Sequence, residues 1–211
     1  AYNMSDEYMT LRSPCSGEIE EKRSRFIASA APVETEEQAV EFINSVKAAN
    51  RKARHNVYAY ILRDGNISRY SDDGEPQGTG GVPVLETIKK EGLTDICVVV
   101  TRYFGGILLG TGGLARAYSA SCREALSAAD IMIMRRCSKI TVRCDYNLYG
   151  RLARLMPEFE VKTLEENFGS DVELVMLVKK DLVEKFKEKL INAANGKLQL
   201  DETPDIMEDF S

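Results

Sequence analysis

The sequence has little of what metal and disulfide scaffolds require. Its 211 residues include no tryptophan, one histidine and six prolines. There are five cysteines, and no two of them form a C-x-x-C pair. Because Cys/His metal sites need several such ligands at short spacings, a site of that kind is disfavoured. We expect reduced, mostly buried thiols in a reducing cytosol.

Long hydrophobic runs are also missing. The longest apolar stretches, Ile96–Val100 and Ile107–Leu109, are far shorter than the roughly 20 residues that a bilayer requires. No charged segment is followed by an apolar one, as in a secretory leader. We therefore expect a soluble cytoplasmic protein without a membrane partner, either a monomer or a weak oligomer.

An excess of positive charge is absent as well. The formal net charge is −5, which argues against a protein that is basic over its whole surface. Residues 1–135 hold 16 Lys+Arg and 18 Asp+Glu, and residues 136–211 hold 12 and 15, with five acids between Asp201 and Asp209. A local basic face is compatible with this distribution, whereas a global one is not.

What is present indicates two globular α+β domains. Hydrophobic residues make up 44% and charged residues 29%, as in ordinary folded proteins. The pattern changes near Arg135-Arg136, so we place the domains at 1–135 and 136–211. In the first, Thr35 and Gln38 have capping-box spacing, and Asp64-Gly65 predicts a hairpin. Its expected elements are an extended segment at 17–31, a helix at 35–49, strands at 56–62 and 67–71, a helix at 82–91, a strand buried on both faces at 95–101, and a helix at 114–129.

The second domain has the ferredoxin-like order βαββαβ, in which two helices cover one face of a sheet. We predict strands at 139–145, 159–167, 171–179 and 197–203, and helices at 147–156 and 181–194.

Two glycine-rich segments, 71–83 and 101–118, contain nine of the 15 glycines. Each leads into a predicted helix, whose N-terminus offers unpaired N–H groups to a phosphate. Arg102 and Arg116 flank the second segment and are suited to bidentate phosphate binding. Alternatively, the glycines let the two loops pack together, and the arginines pair with nearby carboxylates.

Named phosphate motifs do not fit. No Gly-Lys-Ser/Thr triple occurs, and the dinucleotide-like run 110–115 lacks an opening βαβ unit, so we expect no cofactor. Asp72, Asp73 and Glu75 are of the type that binds Mg²⁺, but turn formation and arginine pairing explain them as well, and we assign no metal.

Catalysis finds little support among the side chains. His55 has no obvious Ser or Cys partner, and Cys122 lies mid-helix without a base, so we assign no catalytic residue. The basic run before His55, followed by Tyr58 and Tyr60, would suit a nucleic-acid backbone and its bases, or it is a solvated helix end.

Four strings resemble the YigZ/Impact family over residues 16–130. They are SRFIA (24–28), AYILRDG (59–65), SDDGEPQGTGGVPVL (71–85) and VVVTRYFGGILLGTGGLARAYS (98–119). The remainder resembles the extra domain of bacterial YigZ-type members, which eukaryotic Impact proteins lack. The resemblance implies a fold like the second domain of ribosomal protein S5, followed by a ferredoxin-like domain.

The resemblance also implies a site and a function. Eukaryotic Impact proteins regulate translation by competing for the ribosome-associated activator of a stress kinase, and RNA or ribosome binding is the usual proposal for bacterial members. Asn56 and Val57 stand where the family often has a second histidine or cysteine, which argues against acid/base or metal chemistry there. The candidate binding residues are His55, Asp72, Asp73, Gly74, Glu75, Arg102, Tyr103, Gly105, Gly106, Gly112, Gly113 and Arg116.

Three functions are therefore compatible with the sequence. The first is a translation-associated regulator that binds RNA, the ribosome or a protein of the translation machinery through a glycine-rich cleft. The second is an enzyme that acts on a phosphorylated small molecule or nucleotide in the same cleft. The third is a protein-interaction module without an anion site.

Overall fold

The computed structural model describes residues 6–211, which form two compact units. Among these residues, Tyr8–Met132 belong to the first unit, and Ile133–Ser211 with Asp6 and Glu7 belong to the second. Both units combine helices with an antiparallel sheet, so the α+β class is confirmed. Within residues 6–211, no helix has the length and hydropathy needed to cross a bilayer.

The first unit is a five-stranded antiparallel sheet with helices on both faces. The helices and strands between residues 7 and 127 are, in chain order, β1 Glu7–Leu11, β2 Cys15–Glu21, β3 Ser24–Pro32, α1 Glu36–Ala49, β4 His55–Leu62, β5 Ile67–Ser71, α2 Gly81–Lys90, β6 Ile96–Tyr103 and α3 Gly110–Ser127. The strand order is β2-β3-β6-β4-β5. Helices α2 and α3 cover one face, and α1 covers the other.

The central strand β6 is the core of this unit. Val98 and Val100 face Tyr118 of α3, while Cys97 and Val99 face Ile43 of α1. Because both faces are covered, a continuous apolar run is needed here instead of an alternating one. The predicted strand at 95–101, buried on both sides, is confirmed.

Other local predictions met mixed outcomes. The cap of α1 is confirmed, since Gln38 N donates to Thr35 Oγ1 at 3.2 Å. The single extended segment at 17–31 is wrong, because Lys22 and Arg23 turn the chain into a hairpin, both with positive φ. Neither residue is of the Asn or Gly type that announces such a turn. Strand β1 was not predicted.

Helix α3 begins at Gly110, four residues before the predicted start at Leu114. Glycine has a low helix propensity, which favours the later start in a reading of local sequence alone. Packing of α3 against β2, β3 and α2 overrides that propensity. Consequently Gly112 and Gly113 lie in the first helical turn and not in a loop.

The second unit has the ferredoxin-like topology predicted from the order of its elements. Its elements are β7 Ile131–Cys144, α4 Tyr146–Leu155, β8 Lys162–Phe168, β9 Val172–Lys179, α5 Val183–Ala193 and β10 Gln199–Asp209. Four of the strands in its sheet are arranged β10-β7-β9-β8, and α4 and α5 bury one face, with Phe186 and Leu152 in the core. Strand β10 continues to residue 209 instead of ending at 203, because residues 206–209 resume the antiparallel pairing with β7 after an irregularity between Thr203 and Ile206.

Candidate functional site

Four connections of the first unit meet at one end of its sheet. His55 pairs with Arg102 across β4 and β6, and Arg25 pairs with Tyr103 across β3 and β6. Ser71, the last residue of β5, pairs with Tyr58 of β4. The start of β4 and the ends of β5 and β6 therefore lie side by side. We call the connections 22–23, 50–54, 72–80 and 104–109 the loop end.

Asp72 stabilises the loop that leads into α2 and the N-terminus of that helix. Its carboxylate accepts hydrogen bonds from the backbone N–H groups of Gly78 (2.9 Å), Gly80 (3.0 Å) and Gly81 (2.8 Å). Burial alone would raise the pKa of Asp72, but these three hydrogen bonds outweigh it and lower the pKa. The anion-binding position at the N-terminus of α2 is thus taken by a carboxylate of the chain itself.

We expect Asp72→Ala to lower the free energy of unfolding by about 1–2 kcal/mol at neutral pH, the usual cost of losing a helix cap. Since the folded-state pKa of Asp72 is lowered, its stabilisation is present above the unfolded pKa of about 3.9 and is lost as pH falls through the folded value. The difference in the free energy of unfolding between wild type and variant, measured by urea denaturation, should therefore become smaller below about pH 4. Asp201→Ala, at an exposed strand position, is the control. A gap that stays constant down to about pH 2.5 would contradict this account.

Asp73 and His55 are tied to each other. Asp73 Oδ2 accepts from Asn56 N at 2.7 Å, and Lys47 Nζ lies 3.4 Å from Asp73 Oδ1. His55 Nδ1 lies 2.9 Å from the carbonyl oxygen of Asp73. A carbonyl can only accept, so Nδ1 carries a proton, and a neutral ring has its lone pair on Nε2. The next residue, Gly74, has a φ of +86° and lies against the His55 ring.

Glu75 and Arg102 form a buried ion pair. Arg102 Nη1 donates to Glu75 Oε1 at 2.7 Å, and both side chains are more than nine-tenths buried. Tyr118 Oη donates to the same oxygen at 2.7 Å. Burial, together with this hydrogen bond, raises the pKa of Tyr118 above its ordinary value, so its hydroxyl remains a donor. Arg102 is therefore held inside the unit by Glu75 and does not lie open to a ligand.

The segment after β6 is fixed at Gly105. Ser24 Oγ accepts from Gly105 N at 3.1 Å and from Arg102 Nη2 at 3.4 Å. A Cβ on Gly105 would lie 2.1 Å from the carbonyl carbon of Arg23, so no side chain fits there. Tyr103 donates from its hydroxyl to Asn50 Oδ1 at 2.7 Å. Three connections of the loop end are thereby linked.

Gly106, with φ +87°, is exposed and has open space around it. The exposed side chains of Phe104, Ile107 and Leu108 lie on either side of Gly105-Gly106.

Arg116 has a different environment from Arg102. It is exposed on α3, one turn after Gly112, and its side chain makes no ion pair with any residue in the range 6–211. One side of it borders a cavity of about 250 Å³, also lined by Lys22 and Gly113. The other side borders a cavity of about 330 Å³ that includes Gly78 of the first glycine-rich segment. The two glycine-rich segments therefore do lie next to each other.

The acids of the loop end are neutralised internally, and its cations are not. Asp72, Asp73 and Glu75 accept hydrogen bonds from backbone amides or from side chains of the same unit. Since they have different partners, they do not converge on a point, and residues 6–211 contain no cluster of three His, Cys, Asp or Glu arranged for a metal ion. Within the connections of the loop end, five cations make no ion pair with any residue in the range 6–211: Lys22, Arg23, Arg51, Lys52 and Arg54.

Sequence reasoning missed several members of this end. Tyr118 lies in the helix predicted at 114–129 and was not among the candidate residues, although its hydroxyl is part of the buried network. Ser24 is the first residue of the SRFIA string but was not among the candidate residues, and Asn50 carries no motif. Their roles follow only from the pairing of distant strands. The exposed apolar side chains at 104–108 were visible as part of an apolar run in the second glycine-rich segment, but their exposure was not predicted.

Comparisons with known proteins agree with this architecture. The Impact N-terminal domain matches residues 22–126, and a domain of unknown function, DUF1949, matches residues 142–197. IMPACT family member YvyE of Bacillus subtilis is 37% identical over 200 residues, covering 94% of this chain and 92% of the relative.

Two further comparisons differ in extent. The Protein IMPACT homolog of Dictyostelium discoideum is 38% identical over 96 residues, which cover 44% of this chain and 28% of that protein. A crystal structure of a hypothetical protein aligns with a TM-score of 0.61 and 32% identity, covering 96% of this chain and 98% of the other. With its Impact N-terminal domain and a relative of this identity over nearly its full length, the chain belongs to the IMPACT family.

Proposed function

We propose that this protein is a translation-associated regulator that binds RNA or the ribosome through the loop end of its first unit. Membership of the IMPACT family supports a regulatory role, because the resemblance to eukaryotic Impact proteins implies regulation of translation. The observation that carries the proposal is a group of five exposed cations at the loop end that make no ion pair within residues 6–211, namely Lys22, Arg23, Arg51, Lys52 and Arg54.

Unpaired cations suit a polyanion better than paired ones do. An arginine already paired with a carboxylate gains little from a phosphate, because one anion only replaces another. Arg23, Arg51 and Arg54 have no such partner among residues 6–211. A phosphate backbone that they contact would release its condensed counterions, which is the main favourable term in non-specific nucleic-acid binding.

The overall net charge of −5 does not oppose this proposal. Of the acids at the loop end, Glu75 is buried and paired with Arg102, and Asp72 faces backbone amides. Electrostatic attraction between exposed charges acts over about 8–10 Å at physiological salt, so the local surplus decides the interaction.

We expect the triple variant Arg51→Ala, Lys52→Ala, Arg54→Ala to bind RNA more weakly than wild type, with a shallower dependence on salt. Each phosphate contact that is lost should reduce the slope of log Kobs against log salt by about 1. Fluorescence anisotropy with a labelled RNA hairpin carrying single-stranded tails measures the slope, and co-sedimentation with ribosomes tests the larger target.

The matched control removes the same charge from the second unit, as Lys185→Ala, Lys189→Ala, Lys197→Ala. These lysines are exposed and make no ion pair with residues 6–211. Equal weakening by both triple variants would show that only net charge matters. Absence of wild-type binding to RNA and to ribosomes at low salt would refute the proposed function.

A further inference from the structure

We propose that the loop end selects RNA with unpaired nucleotides, and that the ring of Phe104 is the surface on which one base stacks. This inference rests on the RNA-binding function proposed above and adds the form of RNA that is recognised. Its support is an exposed aromatic side chain on a fixed backbone that contacts Arg23, which, like the neighbouring Lys22, makes no ion pair with residues 6–211.

The exposure of this segment is unusual for apolar side chains. Phe104 is 54% exposed, Ile107 42% and Leu108 81%, and all three lie in the single connection 104–109. Apolar groups left in water at adjacent positions mark a surface that another molecule covers. This surface lies at the loop end and not on the faces of the sheet.

The backbone beneath Phe104 is held in place. Gly105 N donates to Ser24 Oγ at 3.1 Å, and Gly105 packs against the backbone of Arg23. The guanidinium carbon of Arg102 lies 5.5 Å from the centroid of the Phe104 ring. Because Arg102 is itself fixed by Glu75, the ring rests on a buried ion pair. A ligand would therefore meet a ring whose position costs little entropy to fix.

Charge indicates which occupant fits. Arg23, whose backbone contacts Gly105, is exposed, as is the neighbouring Lys22, and neither side chain makes an ion pair with residues 6–211. An aromatic ring flanked by unpaired cations matches a nucleotide, which joins a flat π-face to a phosphate. In a duplex the base faces are stacked inside, so only unpaired nucleotides can present one to Phe104.

The test compares single-stranded RNA with an RNA duplex of equal length at the same salt, by fluorescence anisotropy. Phe104→Ala should weaken binding of the single strand by about 5- to 100-fold, the effect of losing one stacked base, and leave duplex binding within about 2-fold. Phe104→Tyr should bind like wild type, because the ring is kept. The matched control is Phe168→Ala, at a phenylalanine of the second unit that is 55% exposed.

A second readout uses the absence of tryptophan from the chain. Phe104→Trp introduces a single indole, and stacking of a base should quench its emission on addition of single-stranded RNA but not of the duplex. Emission that does not change while RNA is bound would overturn the inference. The inference would also be overturned if the protein bound single-stranded and duplex RNA equally and Phe104→Ala left both affinities unchanged. Contact of the apolar side chains with a protein would give that result. In those two cases the weakening by Arg51→Ala, Lys52→Ala, Arg54→Ala would still support RNA binding itself.

Discussion

Replacing Glu75 by alanine is expected to lower the free energy of unfolding by about 3–5 kcal/mol, because the guanidinium of Arg102 would remain buried without its counter-charge. Arg102 is only 6% exposed, so its guanidinium has little access to solvent that could replace the carboxylate. Its Nε atom already has no hydrogen-bond partner within the described residues, so few contacts remain once the carboxylate is removed. The hydroxyl of Tyr118 would lose its acceptor at the same time.

Urea denaturation followed by circular dichroism measures this loss. Glu86→Ala is the control, since Glu86 is exposed and its contact with Lys89 at 3.4 Å is worth at most about 1 kcal/mol. The double variant Glu75→Leu, Arg102→Met removes both charges together and should be less destabilised than Glu75→Ala. A loss below about 1 kcal/mol for Glu75→Ala would mean that the ion pair is not buried in solution.

The second large effect is expected for Gly105→Ala. The added methyl group would overlap the backbone carbon and oxygen of Arg23, each 2.1 Å away, and backbone atoms cannot rotate aside as a side chain does. We expect a loss of about 3 kcal/mol, at the upper end for overpacking, or a displaced segment 104–109. Thermal unfolding measures the stability, and if Phe104 supports RNA binding, affinity for single-stranded RNA should fall as well.

Gly150→Ala is the matched control with the opposite sign. Gly150 lies inside α4, and a Cβ there would meet nothing within 4 Å. Alanine should therefore raise the free energy of unfolding by up to about 1 kcal/mol through helix propensity. If Gly105→Ala were as harmless as Gly150→Ala, the close approach of Gly105 to Arg23 would not exist in solution.

Elements with strong periodicity could be predicted from the sequence, and those set by distant partners could not. The apolar run of β6, the cap at Thr35 and the order of elements in the second unit each have a local signature. The turn at Lys22-Arg23 has none, because its residues adopt positive φ where β2 pairs with β3 in a hairpin. The early start of α3 likewise depends on packing.

The same division applies to the candidate site. The sequence indicated two arginines beside glycine-rich segments but could not distinguish them. Arg102 is buried and forms an ion pair with Glu75, whereas Arg116 is exposed and borders two cavities. Strand register decides this difference, since it places the connection 72–80 beside the end of β6. Asp72 resembled a metal ligand or an arginine partner, yet it binds three amides that become neighbours only when the loop closes.

The asymmetry of charge at the loop end also has a kinetic consequence. Exposed carboxylates elsewhere on the first unit repel a polyanion, while the cations at 22–23 and 51–54 attract it. A polyanion is therefore steered toward the loop end before any contact forms. Encounters that begin at this end are then more frequent than random diffusion allows. For the RNA complex proposed above, added salt should slow association more than it speeds dissociation, because steering acts over distance and stacking does not.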